Sequence, residues 1–379
     1  MIYLDTAATT PVCEPAAAAV QQAMLQQFAN PSSRHFAGVE AAGALEQHRA
    51  VIAGALGCSK EEIFFTSGGT EANHLAVFGA VEAAKKYRNK KRIVVSAIEH
   101  ASVFESAKQL EARGYEVVYL QPDRHGNITP AQLAEAIDEN TILVSMMYIN
   151  NELGTVLPVA AVKAIIQAKR SPALFHCDCV QAFCKKEFRA AALGADLISI
   201  SAHKIFGPKG VGALYIKKGT RIVPQVYGGE QEGKIRPGTQ ATALIAGFAA
   251  AVEAYRCEEY SQVVKAIKAY AAEQLEKLPG IVFNSDAAAS EYILNFSLPG
   301  YRSEVLLNFL SAQGICVAAG SACAKGKPSH VLSAITSDKA VADSAIRLSF
   351  SHLNTTAQID VLTEQMQRAL NTLAHERTS

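Results

Sequence analysis

Ser201-Ala202-His203-Lys204 closes an apolar, β-branched run and is followed by Ile205-Phe206-Gly207-Pro208-Lys209-Gly210. A lysine just past a buried strand has its ammonium form disfavoured, which leaves a nucleophilic amine able to condense with a carbonyl. Lys209 is the competing amine, but its Pro/Gly setting reads as a solvated loop. Asp178 ends a second apolar run, residues 173–178, with Gln181 three residues further on. A carboxylate there is costly to bury unless something cationic faces it. Glu99-His100 follows residues 92–97, and the imidazole could stack on a ring or simply be hydrogen-bonded into the structure. Ser67-Gly68-Gly69-Thr70-Glu71 follows Ile63–Thr66 and opens a helical pattern. Glycines and free N–H groups at a helix start can cradle an anion, although the same residues also make an ordinary cap. The lysine of a P-loop is missing. Asn150-Asn151-Glu152-Leu153-Gly154 is a polar turn after residues 141–147.

An anion cradle, an imidazole, a carboxylate and an amine are together what pyridoxal phosphate asks for. They supply phosphate anchoring, ring stacking, a partner for the pyridinium nitrogen and a Schiff-base lysine. The elements that must position them are legible as an alternation. Short β-branched or aromatic runs cover residues 63–66, 92–97, 115–120, 141–147, 173–178, 196–201 and 211–216. Between them lie Ala/Lys/Glu-rich stretches with helical pattern, such as residues 71–87 and 129–137. Nearly continuous apolar runs alternating with helices predict an α/β fold with a mostly parallel sheet covered on both faces. Ligands bind at the carboxyl ends of such strands, which is where these residues collect. From about residue 244 the pattern changes to a long helical stretch running through 277. Strand-like 281–284 and 292–297, helical 304–313, strand-like 315–318 and 345–350, and a last helix from about 355 follow. This predicts a smaller α+β unit, with residues 14–250 forming the large domain and residues 1–13 and 251–379 the small one.

The chain has 379 residues, with 36 Lys+Arg against 35 Asp+Glu. That balance provides no bulk attraction to nucleic acid or to an anionic membrane. The 49% apolar and 19% charged composition excludes a disordered chain. Met1-Ile2-Tyr3-Leu4-Asp5 has no basic start and no apolar core of a signal peptide. The apolar run at residues 243–252 falls short of the roughly 20 residues that a membrane span needs. A cytoplasmic protein in a reducing compartment is expected. Eight cysteines without any Cys-x-x-Cys pair predict free thiols and no metal site.

The sequence closely resembles the NifS/IscS-type cysteine desulfurases, pyridoxal-phosphate enzymes of the class V aminotransferase family and of fold type I. The resemblance runs from Tyr3-Leu4-Asp5-Thr6-Ala7-Ala8-Thr9-Thr10 through Asn30-Pro31-Ser32-Ser33, Thr70, Glu99-His100, Asn150-Asn151-Glu152, Asp178 with Gln181, and Ser201 through Lys204. It continues with Arg236-Pro237-Gly238-Thr239, Gly320-Ser321-Ala322-Cys323 and Ile346-Arg347-Leu348-Ser349. The resemblance implies a sheet of seven strands in the large domain. It also implies Lys204 as the Schiff-base lysine, His100 over the ring, Asp178 at the ring nitrogen and Gln181 at the ring hydroxyl. Gly69, Thr70, Ser201 and His203 would hold the phosphate, with Thr239 reaching in from a second subunit. Asn151 and Arg347 would hold the substrate carboxylate, for which a planar guanidinium is suited.

Cys323 would be the nucleophile that takes sulfur from L-cysteine and passes it, as a persulfide, to an acceptor protein or iron–sulfur scaffold. The use would be iron–sulfur cluster assembly or tRNA thiolation, with no direct nucleic-acid contact. Selenocysteine lyase, cysteine sulfinate desulfinase or a related class V aminotransferase is the alternative. Two departures stand out: Ala318 and Ala319 replace the family's usual serines, and the segment between Cys323 and the helical Ser329-His330-Val331-Leu332 is short.

Overall fold

The computed structural model describes residues 1–87, 89–319 and 329–373. Seven strands form the central sheet: β1 Ile63–Thr66, β2 Arg92–Ser96, β3 Glu116–Leu120, β4 Thr141–Ser145, β5 Leu174–Asp178, β6 Leu197–Ser201 and β7 Gly212–Ile216. Their order across the sheet is β1-β7-β6-β5-β4-β2-β3. β3, β2, β4, β5 and β6 pair in parallel, whereas β7 runs antiparallel to both β6 and β1. The physical reason lies in the connections. The link from β6 to β7 holds only the 3-10 turn Ala202–Lys204, too short for the helical crossover a parallel neighbour requires. β4, β6 and β7 are buried along their whole length, as strands covered on both faces must be.

The chain carries two helices that the composition pattern does not single out, Glu14–Gln26 and Phe36–Leu56. Both are alanine-rich and weakly sided, and both pack on the helix Thr242–Ala254, with Phe36–Leu56 also meeting β1. The continuous helix expected over residues 244–277 is instead two. Tyr255 (ψ 129°) and Arg256 (ψ 81°) leave helical geometry, and a second helix runs Cys257–Glu276.

Beyond that break lies a separate core built on Leu4, Val264, Ile267, Phe296, Leu348 and Leu362, among others. Its antiparallel sheet has Ile293–Ser297 and Ala345–Ser349 at the centre, with Val282–Phe283 and Ala318–Ala319 at the edges. The strand expected at residues 315–318 is divided, since Ile315–Cys316 pairs instead with the amino-terminal Ile2–Tyr3. That pairing places Leu4 in the second core. The next residues, 5–10, cross the carboxyl end of the central sheet, where Thr10 donates to His203 O through both N and Oγ1. Among the described residues no helix is long and apolar enough to cross a membrane.

Candidate active site

The amine stands in the 3-10 turn after β6. Lys204 Nζ donates to Ala7 O at 2.5 Å and Ala8 O at 2.7 Å, two carbonyls of the crossing amino-terminal segment. Phe206, two residues on, is held at φ +65° and donates its N–H to Thr10 Oγ1 at 2.7 Å. His203 Nδ1 lies 3.2 Å from Thr9 Oγ1. Burial, and then the charge of Lys204 and its cationic neighbours, push this imidazole down to about 4, so it is neutral at pH 7.

Next to the amine is an anion cradle. The helix Gly69–Ala83 starts behind Gly68, whose φ of +152° favours glycine. A Cβ on Gly69 would meet Val180 Cγ2 at 2.7 Å. Ser201 Oγ is buried and has no hydrogen-bond partner among the described residues, and it sits 3.9 Å from where a Cβ of Gly68 would be. Thr70 is exposed on the first helical turn. An unspent buried hydroxyl beside free helical N–H groups fits a phosphate.

Gly212 permits this arrangement, because a Cβ there would meet Ile200 O at 2.6 Å and Gly68 Cα at 2.8 Å. Gly212→Ala is therefore expected to force two backbones apart, at a cost of about 1–3 kcal/mol. Thermal unfolding should show a lowered midpoint, and phosphate-ester affinity should fall with it. An unchanged midpoint would contradict the close packing.

Asp178, at the end of β5, accepts from Asn73 Nδ2 at 2.7 Å and from Val180 N at 2.9 Å. Asn73 also donates to Ser102 Oγ at 2.8 Å, and Ser102 Oγ is 2.8 Å from His100 Nδ1. A single chain of contacts thus links Asp178 to His100. His100 caps the helix Ala101–Ala112, and its Nδ1 also accepts from Ser102 N. Burial lowers its pKa against the opposing pull of Asp178, with Lys204 adding to the lowering. Glu99 is fully buried, accepts from Met147 N at 2.8 Å, and burial raises its pKa well above the usual carboxylate range. Cys177 and Cys179 flank Asp178 as fully buried thiols, with sulfurs 3.5 Å apart.

Gln181 is buried with Nε2 donating to Ala7 O at 2.9 Å. That is the carbonyl which Lys204 also contacts. Arg347, on the strand Ala345–Ser349, donates Nη1 to Asn151 O at 2.8 Å and Nη2 to Asp5 Oδ1 at 2.7 Å. Its Nε and the Asn151 Oδ1 are buried without partners among the described residues. Burial raises neighbouring Glu152 to about 7, against the lowering effects of Ser329 and Arg347.

Thr239 stands apart. It is exposed, and among the described residues it makes no hydrogen bond with this cluster. The segment carrying it is anchored by Glu232, which is buried against Arg49 with contacts of 2.7 and 2.8 Å. Cys323 lies outside the described residues. Sequence reasoning missed Asn73, Ser102 and Asp5. An asparagine on a buried helical position behind a glycine turn was the available signal for the first, and the others carry no comparable mark.

A doubly wound sheet with this amine, carboxylate and cradle at one edge is a pyridoxal-phosphate transferase fold of type I. The class-V aminotransferase family matches residues 2–362, and the chain belongs to it. It is 38% identical to the cysteine desulfurase IscS of Dictyoglomus turgidum, over 98% of this chain and 95% of that protein. It is also 38% identical to the putative cysteine desulfurase IscS 1 of Bacillus subtilis, over 94% of this chain and 95% of that one. Among solved structures, a NifS-like protein superposes with a TM-score of 0.92 at 35% identity, covering 98% of this chain and all of that one. SspA in complex with cysteine does so with a TM-score of 0.83 at 33% identity, covering 94% of this chain and all of that one. The family generally uses pyridoxal phosphate.

Proposed function

We propose that this chain is a pyridoxal-phosphate-dependent cysteine desulfurase, converting L-cysteine to L-alanine and holding the sulfur as a persulfide on Cys323. The observation that carries the reading is the shared edge. Lys204, Asp178, the unpartnered Ser201 hydroxyl and the partly unspent Arg347 all gather where the amino-terminal segment crosses the sheet.

Gly69, Thr70, Ser201 and His203 hold the phosphate, with Thr239 of a second copy completing it. Asp178 would hold the ring nitrogen, with His100 against the ring and Gln181 toward the ring hydroxyl. Lys204 would supply the amine that holds the cofactor covalently. Once bound, the cofactor serves as the sink for electrons released at the substrate carbons. Arg347 and Asn151 orient the substrate carboxylate, and Arg347 enters that role already aimed by Asp5. Burial holds His100 below the usual imidazole range and Nδ1 is committed to Ser102, so Nε2 is the nitrogen left to hold or move a proton.

The Cys323 thiolate attacks the substrate sulfur. An S–S bond forms, the substrate's C–S bond breaks, and its electron pair stays with carbon, which takes up a proton and leaves as alanine. Cysteine plus enzyme thiol becomes alanine plus enzyme persulfide, with no outside oxidant. An acceptor protein, such as an iron–sulfur scaffold, then takes the sulfur onto its own thiol. A reducing, cytoplasmic setting suits this chemistry.

A homodimer is supported by the apolar side chains left exposed on the first two helices and the segment between them, Met24, Leu25, Phe28, Phe36 and Val39. The division into residues 14–250 and residues 1–13 with 251–379 is supported by the second core, which joins Leu4 and Ala7 to residues from Val264 on, while Val331, Leu332, Ile335, Ala342 and Ala345 pack into the first core instead.

The test is direct. Protein loaded with pyridoxal phosphate is supplied with cysteine and a dithiol, and alanine and sulfide are both quantified. Equal amounts are expected, and a borohydride-reduced sample should carry the pyridoxyl group on the Lys204 peptide. Sulfide without alanine, or an unmodified Lys204, would overturn the reading.

A further inference from the structure

Lys185 is a buried amine that the chemistry above does not use. It lies in the turn that follows β5, where Ala182 and Phe183 N–H groups return to Cys179 O and Lys185 N–H to Ala182 O. Cys184 takes φ +60° there, which turns the next side chain inward. Lys185 is only 5% exposed, and its Nζ donates to Gln181 Oε1 at 3.2 Å. The same Nζ sits 5.4 Å from the centre of the Tyr292 ring. Among the described residues no carboxylate lies within ion-pair distance of it.

An unpaired buried amine is costly, and a methionine of similar size would fill the space without that cost. The geometry shows what the amine does instead. An amide has two chemically different ends, and a donor on Oε1 dictates which end faces elsewhere. With Lys185 on Oε1, Gln181 must present Nε2 inward, where it donates to Ala7 O. Ala7 O is also the acceptor of Lys204. The inward N–H pair of Gln181 thus borders the amine to which the cofactor bonds.

We propose that Lys185 is a positioning residue that acts through Gln181, fixing the amide so that its N–H group, not its oxygen, meets the cofactor's ring oxygen. This rests on the cofactor reading above. A flipped amide would set two oxygens against each other, and the site would bind the cofactor less tightly.

The electrostatics agree. Burial, and then the charges of Lys204 on the neighbouring turn and Arg347 on the second sheet, lower Lys185 to about 7. Cys184 beside it and Glu291 from the small core's side pull weakly the other way. A lysine lowered below its unfolded value near 10.5 destabilises the fold most below pH 7, and the penalty fades as pH rises through that window. Removing the amine should therefore not lower the stability of the apo-protein, which separates a positioning role from a packing one.

The experiment titrates apo-protein with pyridoxal phosphate, following visible absorbance, for wild type, Lys185→Met, Lys185→Gln, Gln181→Ala and the double variant. Lys185→Met is expected to weaken cofactor binding about tenfold, the scale of one lost hydrogen bond to a charged group. Its apo-protein melting temperature at pH 6 should be no lower than wild type. Lys185→Gln keeps an N–H donor and should bind between the two. In the Gln181→Ala background, Lys185→Met should have no further effect. Wild-type affinity in Lys185→Met, or an equal tenfold loss in both backgrounds, would overturn the proposal. Failure of wild type itself to bind the cofactor would instead overturn the functional reading on which it rests.

Discussion

Lys204→Ala is expected to lower cysteine turnover by about 10⁴-fold, the upper end of what one positioned acid–base group contributes. Two roles are lost together. Under the proposed function this amine would hold the cofactor and would move the proton at the substrate α-carbon. Both need a nucleophilic, movable amine at one place, and Ala7 O and Ala8 O define that place. Lys204→Arg should be equally inactive, since a guanidinium stays protonated and cannot bond a carbonyl carbon. The fold should tolerate both changes. Ala8 O faces the open side of the contact, so water can replace the lost donor. Turnover, cofactor retention after dialysis and melting temperature together make the measurement. Turnover within tenfold of wild type with the cofactor retained would sink the role given to this residue.

The strand ends were legible because burial writes itself into the sequence. β4 to β6 are short apolar runs, and Asp178 and Ser201 stand out as the polar groups that terminate them. An expensive group at such a place implies a partner, and the chain supplies Asn73. The partner itself was not legible, because Asn73 meets Asp178 across 105 positions of sequence and belongs to a helix with its own apolar pattern. The contacts of Lys204 were hidden for a different reason. Backbone carbonyls have no side-chain signature, so only the crossing of the amino-terminal segment reveals Ala7 and Ala8. Asp5 on Arg347 follows from the same crossing. The helix break at Tyr255 had no proline or glycine to announce it. It answers instead to packing, since Tyr255 reaches the Tyr292 hydroxyl at 3.4 Å and stacks edge-on against Tyr260. Lys185 was read as nothing at all, because one more lysine beside Lys186 looks like solvated charge until the turn at Cys184 buries it.

Cys323→Ser should abolish cysteine turnover while leaving cofactor binding intact, and it separates the competing chemistries. A serine hydroxyl has no anion near neutral pH and cannot carry sulfur as a persulfide, so the drop should reach at least about 10³-fold, the scale on which nucleophile removal acts. The remaining machinery does not depend on that thiol. Lys204 and Arg347 are held by Ala7 and Asp5 of the amino-terminal segment, and Asp178 and His100 by Asn73 and Ser102, so the variant should load with pyridoxal phosphate and show the wild-type absorbance. Turnover of selenocysteine can persist in the same variant under either reading, because release of selenium does not generally require an enzyme thiol, so loss of cysteine turnover is the discriminating result. Mass analysis of the wild-type protein after one equivalent of cysteine completes the test. The Cys323 peptide should gain one sulfur atom, and a dithiol should remove it. The thiols at Cys177 and Cys179 should gain none, since both are fully buried and burial raises the Cys177 thiol far above neutrality. Undiminished cysteine turnover in Cys323→Ser would exclude a persulfide at this position and return the chain to the lyase or aminotransferase reading.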